Sequence, residues 1–304
     1  MLTASFAACS SDDEEQAATT GTTLLIEVSE EPMTYTVGSR SVGTRSAVYT
    51  MGNVDNLYLS DNSTREDIYK WTISRDGNRW SVQNYSWPSS LSEVSFFAWN
   101  TSSTLYYESG YYIPHAVDQN ASSQTDLLVA TTTVPRNSSK IQLSFNHACA
   151  AVNFTISKTA KLSDCDVKVT RVKLHNIIDK GDYFIGRANP WAYGDSKTYY
   201  TIRSTEGEII DTDPTPLMAA NDYMFMIPQS LTAWDKSSNL KDCYFSIECT
   251  INGTINTGTQ EEKQINFNGT AYIPFAPAWE AGTMYTVDIL LGTGLRDRNG
   301  NKIF

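Results

Sequence analysis

The amino-acid sequence predicts an all-β protein built as two β-sandwiches in series, and three observations carry that expectation. Apolar and polar residues alternate through almost the whole chain after Thr23, the period of a strand with one buried face. An Asp-Gly pair, Asp76-Gly77, sits between two alternating runs, which is the strongest short-range signal for a hairpin. No capped amphipathic stretch of normal helix length interrupts the pattern, and only "TPLMAAND" at residues 215–222 offers a short helical turn.

The first strand is "TLLIEVS", which puts Leu24, Ile26 and Val28 on one face. Val54 to Ser60 offers the next, and "DIYKWTISRDGNRWSVQNY" reads as a hairpin turning at Asp76, Gly77 and Asn78. Glu93 to Asn100, Thr125 to Thr131 and Lys140 to Phe145 follow, separated by loops of Ser, Thr, Asn and Gly. That makes about seven strands, enough for one sandwich. A second set of similar size runs from "CAAVNFTIS" through "DVKVTRVKLHNII", "TYYTIRS", "YMFMIPQS", "CYFSIECTING", "KQINFNG" and "AYIPF" to "MYTVDILLG". Strand counting alone puts the boundary near Asn146 to Cys149. The expected division is a leader and tether over 1–23, one sandwich over 24–147 and a second over 148–304.

A chain of 304 residues with 40% hydrophobic content can bury cores of ordinary size. Its net charge of −11 argues against a nucleic-acid partner, because phosphate binding needs clustered Lys and Arg. No apolar run approaches the roughly 20 residues that span a bilayer as a helix. Cys149, Cys165, Cys243 and Cys249 show no CxxC and no spacing with His that suits zinc. Cys243 and Cys249 lie on one face of a single run, roughly 20 Å apart and beyond disulfide reach. Buried, reduced thiols are the expectation for all four.

The start of the chain, "MLTASFAACSSDDEE", raises a different matter. Phe6, Ala7, Ala8 and Cys9 look like a bacterial lipobox, an apolar residue and two small ones before a cysteine whose thiol takes a lipid. Only eight residues precede Cys9, without Lys or Arg, so the true start is expected upstream. Ser10 to Thr23 is then a polar tether with too few apolar side chains to pack. The acids Asp12 to Glu15 resemble the surface-export signal of Bacteroidetes lipoproteins, which gives an outer-membrane lipoprotein at the cell surface.

Catalytic signals are thin. His115, His147 and His175 have no nucleophile motif nearby, and HExxH, GxSxG and P-loop patterns are missing from the sequence. Structural roles are expected for all three histidines, with no enzyme activity, cofactor or metal. Trp71, Trp80, Trp87, Tyr106, Tyr107, Tyr111 and Tyr112 suit strand packing better than a sugar-stacking platform. "DRNGN" at Asp297 to Asn301 opens like a calcium loop, but Lys302 stands where that loop needs Gly, so a tight turn is expected.

"FFAWN" (Phe96 to Asn100), "QTDLLVA" (Gln124 to Ala130), "LSFNHACAAVNFTI" (Leu143 to Ile156), "MIPQ" (Met226 to Gln229) and "WEAGTMYTVDILLG" (Trp279 to Gly292), taken in order, resemble the fimbrillin family of Bacteroidetes. The resemblance runs from about Leu24 to the C-terminus. It implies two transthyretin-like, Greek-key β-sandwich domains and a subunit of a type V pilus. Such a subunit is exported as a lipoprotein, clipped by an Arg-specific protease and joined to other fimbrial subunits by strand donation. The strand lost here would carry Leu24, Ile26 and Val28, perhaps together with Tyr35 to Val37. The Gly/Ser-rich loop after it offers Arg45 as the first cleavage position and Arg40 as the second. The donor would be Met284, Tyr285, Val287, Ile289 and Leu291 with the tail to Phe304. The alternative is a surface lipoprotein that stays monomeric and binds a glycan or host protein.

Replacing Cys9 with Ala is expected to abolish lipid labelling and to release or trap the precursor. Unchanged membrane fractionation of Cys9→Ala would overturn the anchor.

Overall fold

The computed structural model of the chain describes residues 22–37, 40–45, 54, 56–66, 68–219, 222–292 and 294–304, with side chains left undescribed from 35 to 45. Cys9 and the tether lie outside the described residues.

The first half supplies β1 (Thr22–Glu30), β2 (Met33–Val37), β3 (Arg40–Arg45), β4 (Leu57–Asp61), β5 (Trp71–Asp76) and β6 (Arg79–Tyr85). It continues with β7 (Glu93–Trp99), β8 (Tyr106–Tyr107), β9 (Tyr111–Ala116), β10 (Leu128–Pro135) and β11 (Lys140–His147). The second half supplies β12 (Ala150–Lys158), β13 (Cys165–Ile178), β14 (Lys180–Phe184), β15 (Trp191–Tyr193), β16 (Lys197–Ile209) and β17 (Thr215–Pro216). Then come β18 (Met224–Met226), β19 (Gln229–Ser230), β20 (Tyr244–Ile255), β21 (Lys263–Pro274), β22 (Ala278–Trp279) and β23 (Thr283–Leu291). The all-β expectation holds, in several sheets.

Seven strands close a barrel in the order β1-β11-β10-β7-β4-β5-β6, the ring completed by β6 against β1. β5 makes one corner: its first residues pair with β4, as Ile73 does with Leu57, and its last with β6, as Ser74 does with Ser81. At the opposite corner β10 and β11 bond only through Leu128↔His147 and Val129↔Asn146. The alternating side chains Leu24, Ile26, Val82, Phe96, Ile141 and Leu143 fill the inside. Tyr85, fully buried, places its hydroxyl 2.7 Å from Asp61 Oδ2, which satisfies the one polar atom that side chain takes into the core.

The second half is built on one sheet ordered β16-β13-β20-β21 and another ordered β17-β12-β23-β2-β3, with β18 also on β12. Val167, Val169, Val172 and Leu174 of β13 face a core shared with Phe154, Ile156, Ile247 and Ile289. The chain passes from β11 to β12 at residues 148–149. Strands of the first half nevertheless take part in sheets of the second. β2 lies parallel to β23, Thr34 opposite Thr283, and β8-β9 joins β14-β15 through Ile113↔Tyr183. One hydrophobic cluster therefore contains Met33, Trp99 and Ile113 together with the second half's core residues.

Two local expectations change. Residues 40–45, expected as a loop, are β3, an edge strand paired with β2 from Met33↔Arg45 to Val37↔Arg40. Thr215–Pro216, expected in a helical turn, pairs as a strand with Thr155 and Ile156 of β12, because an open ladder outweighs the weak helical propensity of two residues. Tyr106, Tyr107, Tyr111 and Tyr112, expected in strand packing, lie on β8 and β9 in the sheet β15-β14-β9-β8.

The tight turn at Asp297 forms as expected. Its Oδ1 accepts from the backbone N–H of Asn299 at 2.8 Å and of Asn301 at 2.9 Å, and the Asn301 side-chain amide, donating to Oδ2 at 3.1 Å, leads these bonds in holding the carboxyl below its usual range. All four cysteines are buried and free, and burial pushes the thiols of Cys243 and Cys249 up to about 12.

The β5-β6 hairpin has Gly77 at φ +59° with nothing within 4 Å of where a Cβ would stand, so substitution there meets backbone strain and no clash. Gly77→Val is expected to cost about 1–2 kcal/mol in urea unfolding, and Gly77→Asn distinctly less, because Asn tolerates the left-handed region. Equal stability of all three proteins would show that the turn does not constrain the barrel.

Candidate functional site: the first strand and the joint it closes

β1 is the strand through which the barrel closes. It lies parallel to β11, from Leu25↔Lys140 to Glu30↔Phe145, and antiparallel to β6, through Leu24↔Val82 and Ile26↔Trp80. Alternation decides which side chains it buries: Leu24 and Ile26 are 2% and 5% exposed, Val28 is half-buried, and Leu25 and Glu27 face outward. On the outer face Glu27 accepts from Lys140 Nζ at 2.5 Å and from Gln142 Nε2 at 2.8 Å. An exposed pair of this kind contributes little beyond register.

The far end of β1 is fixed by charge. Glu30 Oε1 lies 2.9 Å from His147 Nε2, and His147 Nδ1 is hydrogen-bonded to Asp126 Oδ2. The imidazole and the Asp126 carboxyl are essentially buried, with 1% and 0% side-chain exposure. Asp126 Oδ1 accepts the N–H of Cys149 at 3.2 Å, and the Asp126 carbonyl accepts Asn100 Nδ2 at 2.8 Å. Burial pulls His147 down, but the carboxylates on either side outweigh it and hold the imidazole above its ordinary value. Burial likewise pushes Asp126 up, opposed by His147. Cys149, beside them, is raised well above a normal thiol by burial, so the cluster holds no ready nucleophile.

The other polar side chains of this joint cap backbone. Asn100 Oδ1 accepts the N–H of Leu128 at 2.8 Å, and Gln124 Oε1 accepts that of Phe225 at 2.8 Å across the two halves. Gln229 takes both polar groups of Ile178, its Oε1 accepting the N–H at 2.9 Å and its Nε2 donating to the carbonyl at 3.0 Å. Gly282, at φ +64°, donates to the Cys149 carbonyl at 3.0 Å and accepts from the Thr34 N–H at 2.8 Å, which links β2 to the joint. Each bond satisfies a group that would otherwise be buried without a partner.

A Fimbrillin-like family model matches residues 43–302. The chain belongs to the fimbrillin-like family. Its fold resembles that of a fimbrial protein from Bacteroides vulgatus, at 14% identity over 86% of this chain and 95% of that one, with a TM-score of 0.54. Weaker likenesses include proteins described as cell adhesion proteins. One is from Bacteroides eggerthii, at 13% identity, 90% and 87% coverage and a TM-score of 0.45. Another is from Parabacteroides distasonis, at 10% identity, 89% and 88% coverage and a TM-score of 0.46. A comparison with curated proteins found no match.

In this fimbrillin-like chain the five segments that carry the sequence resemblance supply the joint: Asn100, Gln124, Asp126, His147, Gln229 and Gly282 all come from them. Glu30 comes from β1, which precedes the matched stretch. Sequence reasoning missed the bridge between Glu30, His147 and Asp126, because its members lie far apart in the chain. "QTD" and "NHAC", each with an ionisable residue among apolar ones, were the available signal.

The remaining expected site residues fall on three strands. Arg40 and Arg45 end β3, the edge of its sheet. Tyr35 to Val37 belong to β2, a different sheet from Leu24, Ile26 and Val28. Met284, Tyr285, Val287, Ile289 and Leu291 lie on β23, which is held between β12 and β2, with Met284, Ile289 and Leu291 buried. Among the described residues no group of three His, Cys, Asp or Glu is placed to hold a metal ion. His115 and His175 are both lowered to about 4 by burial, the latter also by Lys173.

His147 has a folded value above its ordinary 6.5, so its contribution to stability is fully present below 6.5 and is lost as pH rises through the folded value. Denaturant titrations are expected to show stability falling on the alkaline side, with a shallower fall in His147→Gln. That variant also loses about 3–5 kcal/mol near neutrality, because Asp126 is left buried without its partner. A flat profile in the parent chain would remove the charge bridge from the energetics.

Proposed function

We propose that this chain is a structural and adhesive subunit of a bacterial surface fimbria, without enzyme activity, exported as a lipoprotein through Cys9 and assembled by protease-triggered strand exchange. Membership of the fimbrillin-like family supports the fimbrial, cell-surface reading. The observation that carries the assembly step is the position of β1: the first described strand is also the one that closes the barrel.

Cleavage after Arg45 by an Arg-specific protease cuts the covalent link between residues 22–45 and the rest of the subunit. Departure of β1 opens the ladders of β6 and β11 and the groove that holds Leu24 and Ile26. Departure of β2 and β3 opens the edge of β23. Burial of each large apolar side chain contributes about 1.5–3 kcal/mol, so two of them are a sizeable part of the roughly 5–15 kcal/mol that holds a domain folded. A strand from another subunit restores both the hydrogen bonds and the buried area. Arg45 on an edge strand suits a protease that binds its substrate extended, since one side of β3 is without a partner strand among the described residues.

The donor assigned to the segment Met284 to Leu291 must first leave β12, because its apolar residues are buried in its own subunit. That packing favours the second reading, a monomeric surface lipoprotein that binds a glycan or host protein, for any form in which β23 stays in place.

The double variant Arg40→Ala/Arg45→Ala is expected to remain full-length, folded and monomeric while the parent chain forms denaturant-resistant oligomers after protease treatment. Oligomers from the double variant equal to those of the parent would overturn release of the first strand at this position.

A further inference from the structure

We propose that the open edge of β21 pairs with the same edge of a second copy of this chain, antiparallel, about a two-fold axis at Phe267. β21 is an outer strand of the sheet β16-β13-β20-β21 and runs against β20 in unbroken register from Tyr244↔Pro274 to Ile255↔Lys263. Antiparallel strands send the backbone groups of alternate residues to opposite sides. Phe275 donates to the Cys243 carbonyl on the β20 side at 3.1 Å, whereas Tyr272 donates to the Arg296 carbonyl at 2.9 Å and accepts the Arg296 N–H at 3.2 Å. Even-numbered residues of β21 therefore point their N–H and C=O groups away from β20. For Gln264, Asn266, Asn268 and Thr270 these backbone groups meet no partner among the described residues.

A sheet edge of this kind is ordinarily blunted by a bulge, a proline or charge. β16, the opposite edge of the same sheet, shows the first and the last: its register against β13 shifts at three places, and it carries Lys197, Arg203, Glu206 and Glu208. β21 shows neither between Gln264 and Thr270, its single charge being Lys263 and its proline Pro274 at the far end. The C-terminal residues cover only that far end. Arg296 pairs with Tyr272, the chain turns, and Lys302 returns to Arg296. About 20 Å of regular, uncharged edge is left.

The occupant that fits this edge is the edge itself. A two-fold antiparallel arrangement sets Gln264 opposite Thr270 and Asn266 opposite Asn268, so every residue that points its backbone outward on one copy meets one that does so on the other. The faces match as well: the exposed amides of Asn266 and Asn268 share the outer face, while Ile265, 4% exposed, and the half-buried Phe267 share the core face. Phe267 then stands beside its own counterpart, which covers its exposed part. The two ends of the edge differ in charge. Glu261 and Glu262 precede β21, whereas the tail that pairs at Tyr272 carries Arg296, Arg298 and Lys302, its Asp297 being taken up by its own turn. An antiparallel copy brings the acidic end of each edge to the basic end of the other, and a parallel copy would set like charges together. The inference does not rest on strand exchange, since β21 lies in a different sheet from β1, β2, β3 and β23.

A single strand pair buries little surface, so the dimer is expected to be weak, with a Kd of about 10–100 µM. Sedimentation velocity on the unlipidated full chain, unprocessed and reduced so that no cysteine cross-links, is expected to show a monomer at about 1 µM and a dimer at about 200 µM. Over the same range hydrogen exchange is expected to slow at the amides of Gln264, Asn266, Asn268 and Thr270 and to stay unchanged along β16. Asn268→Pro removes an N–H that bonds nothing within the subunit, and Asn266→Lys/Asn268→Lys lines like charges across the axis. Each is expected to weaken the dimer about tenfold or more. Asn266→Lys/Asn268→Glu, which sets Lys opposite Glu, is expected to restore it. The exchange measurement needs no variant, so a substitution that unfolds the chain leaves the test intact. A parent chain that stays monomeric at about 200 µM, a dimer unaffected by the proline and double-lysine changes, or exchange slowed elsewhere and not on β21 overturns the proposal. Failure of the Lys/Glu protein to recover overturns the antiparallel pairing.

Discussion

The buried bridge in which His147 stands between Asp126 and Glu30 is the constraint on which the rest of the structure depends. It ties the last residue of β1 to the last residue of β11 and to the segment leading into β10, at the place where the chain leaves the barrel for β12. Removing water from three ionisable groups is costly unless each is paired. The surrounding joint meets that requirement with fixed donors, the N–H of Cys149 among them. The barrel's register and the passage into the second half are therefore set together.

The second consequence concerns closure. A barrel has no free edge, and here that condition rests on one N-terminal strand whose two neighbours, β6 and β11, are otherwise unconnected along that seam. After β1 the chain crosses to the second half and adds β2 and β3 to the sheet of β23. One short segment thus completes two sheets. Without that segment the barrel would lack the strand between β6 and β11, and β23 would lack its neighbour β2.

The polar side chains of the joint lie within the sequence fragments that carry the family resemblance. Strand interiors accept many apolar residues of similar volume. A buried Asn, Gln or Asp that caps a particular backbone group has few substitutes, since its loss leaves that group unsatisfied. In this chain Asn100, Gln124, Asp126 and Gln229 each bond a particular backbone group.

By itself the sequence determined the all-β class, the Asp76-Gly77 hairpin, and the inward face of Leu24 and Ile26. All of these follow from local rules: the two-residue period of a strand and the left-handed turn that glycine permits. Only the tertiary structure decided that β1 lies between β6 and β11, that residues 40–45 form an edge strand on the other half's sheet, and that the tyrosines near 106–112 pair with β14. The bridge from Glu30 through His147 to Asp126 belongs with these. The physical reason is that strand pairing and charge burial join residues distant in the chain, and alternation tells which way a side chain faces without telling what it meets.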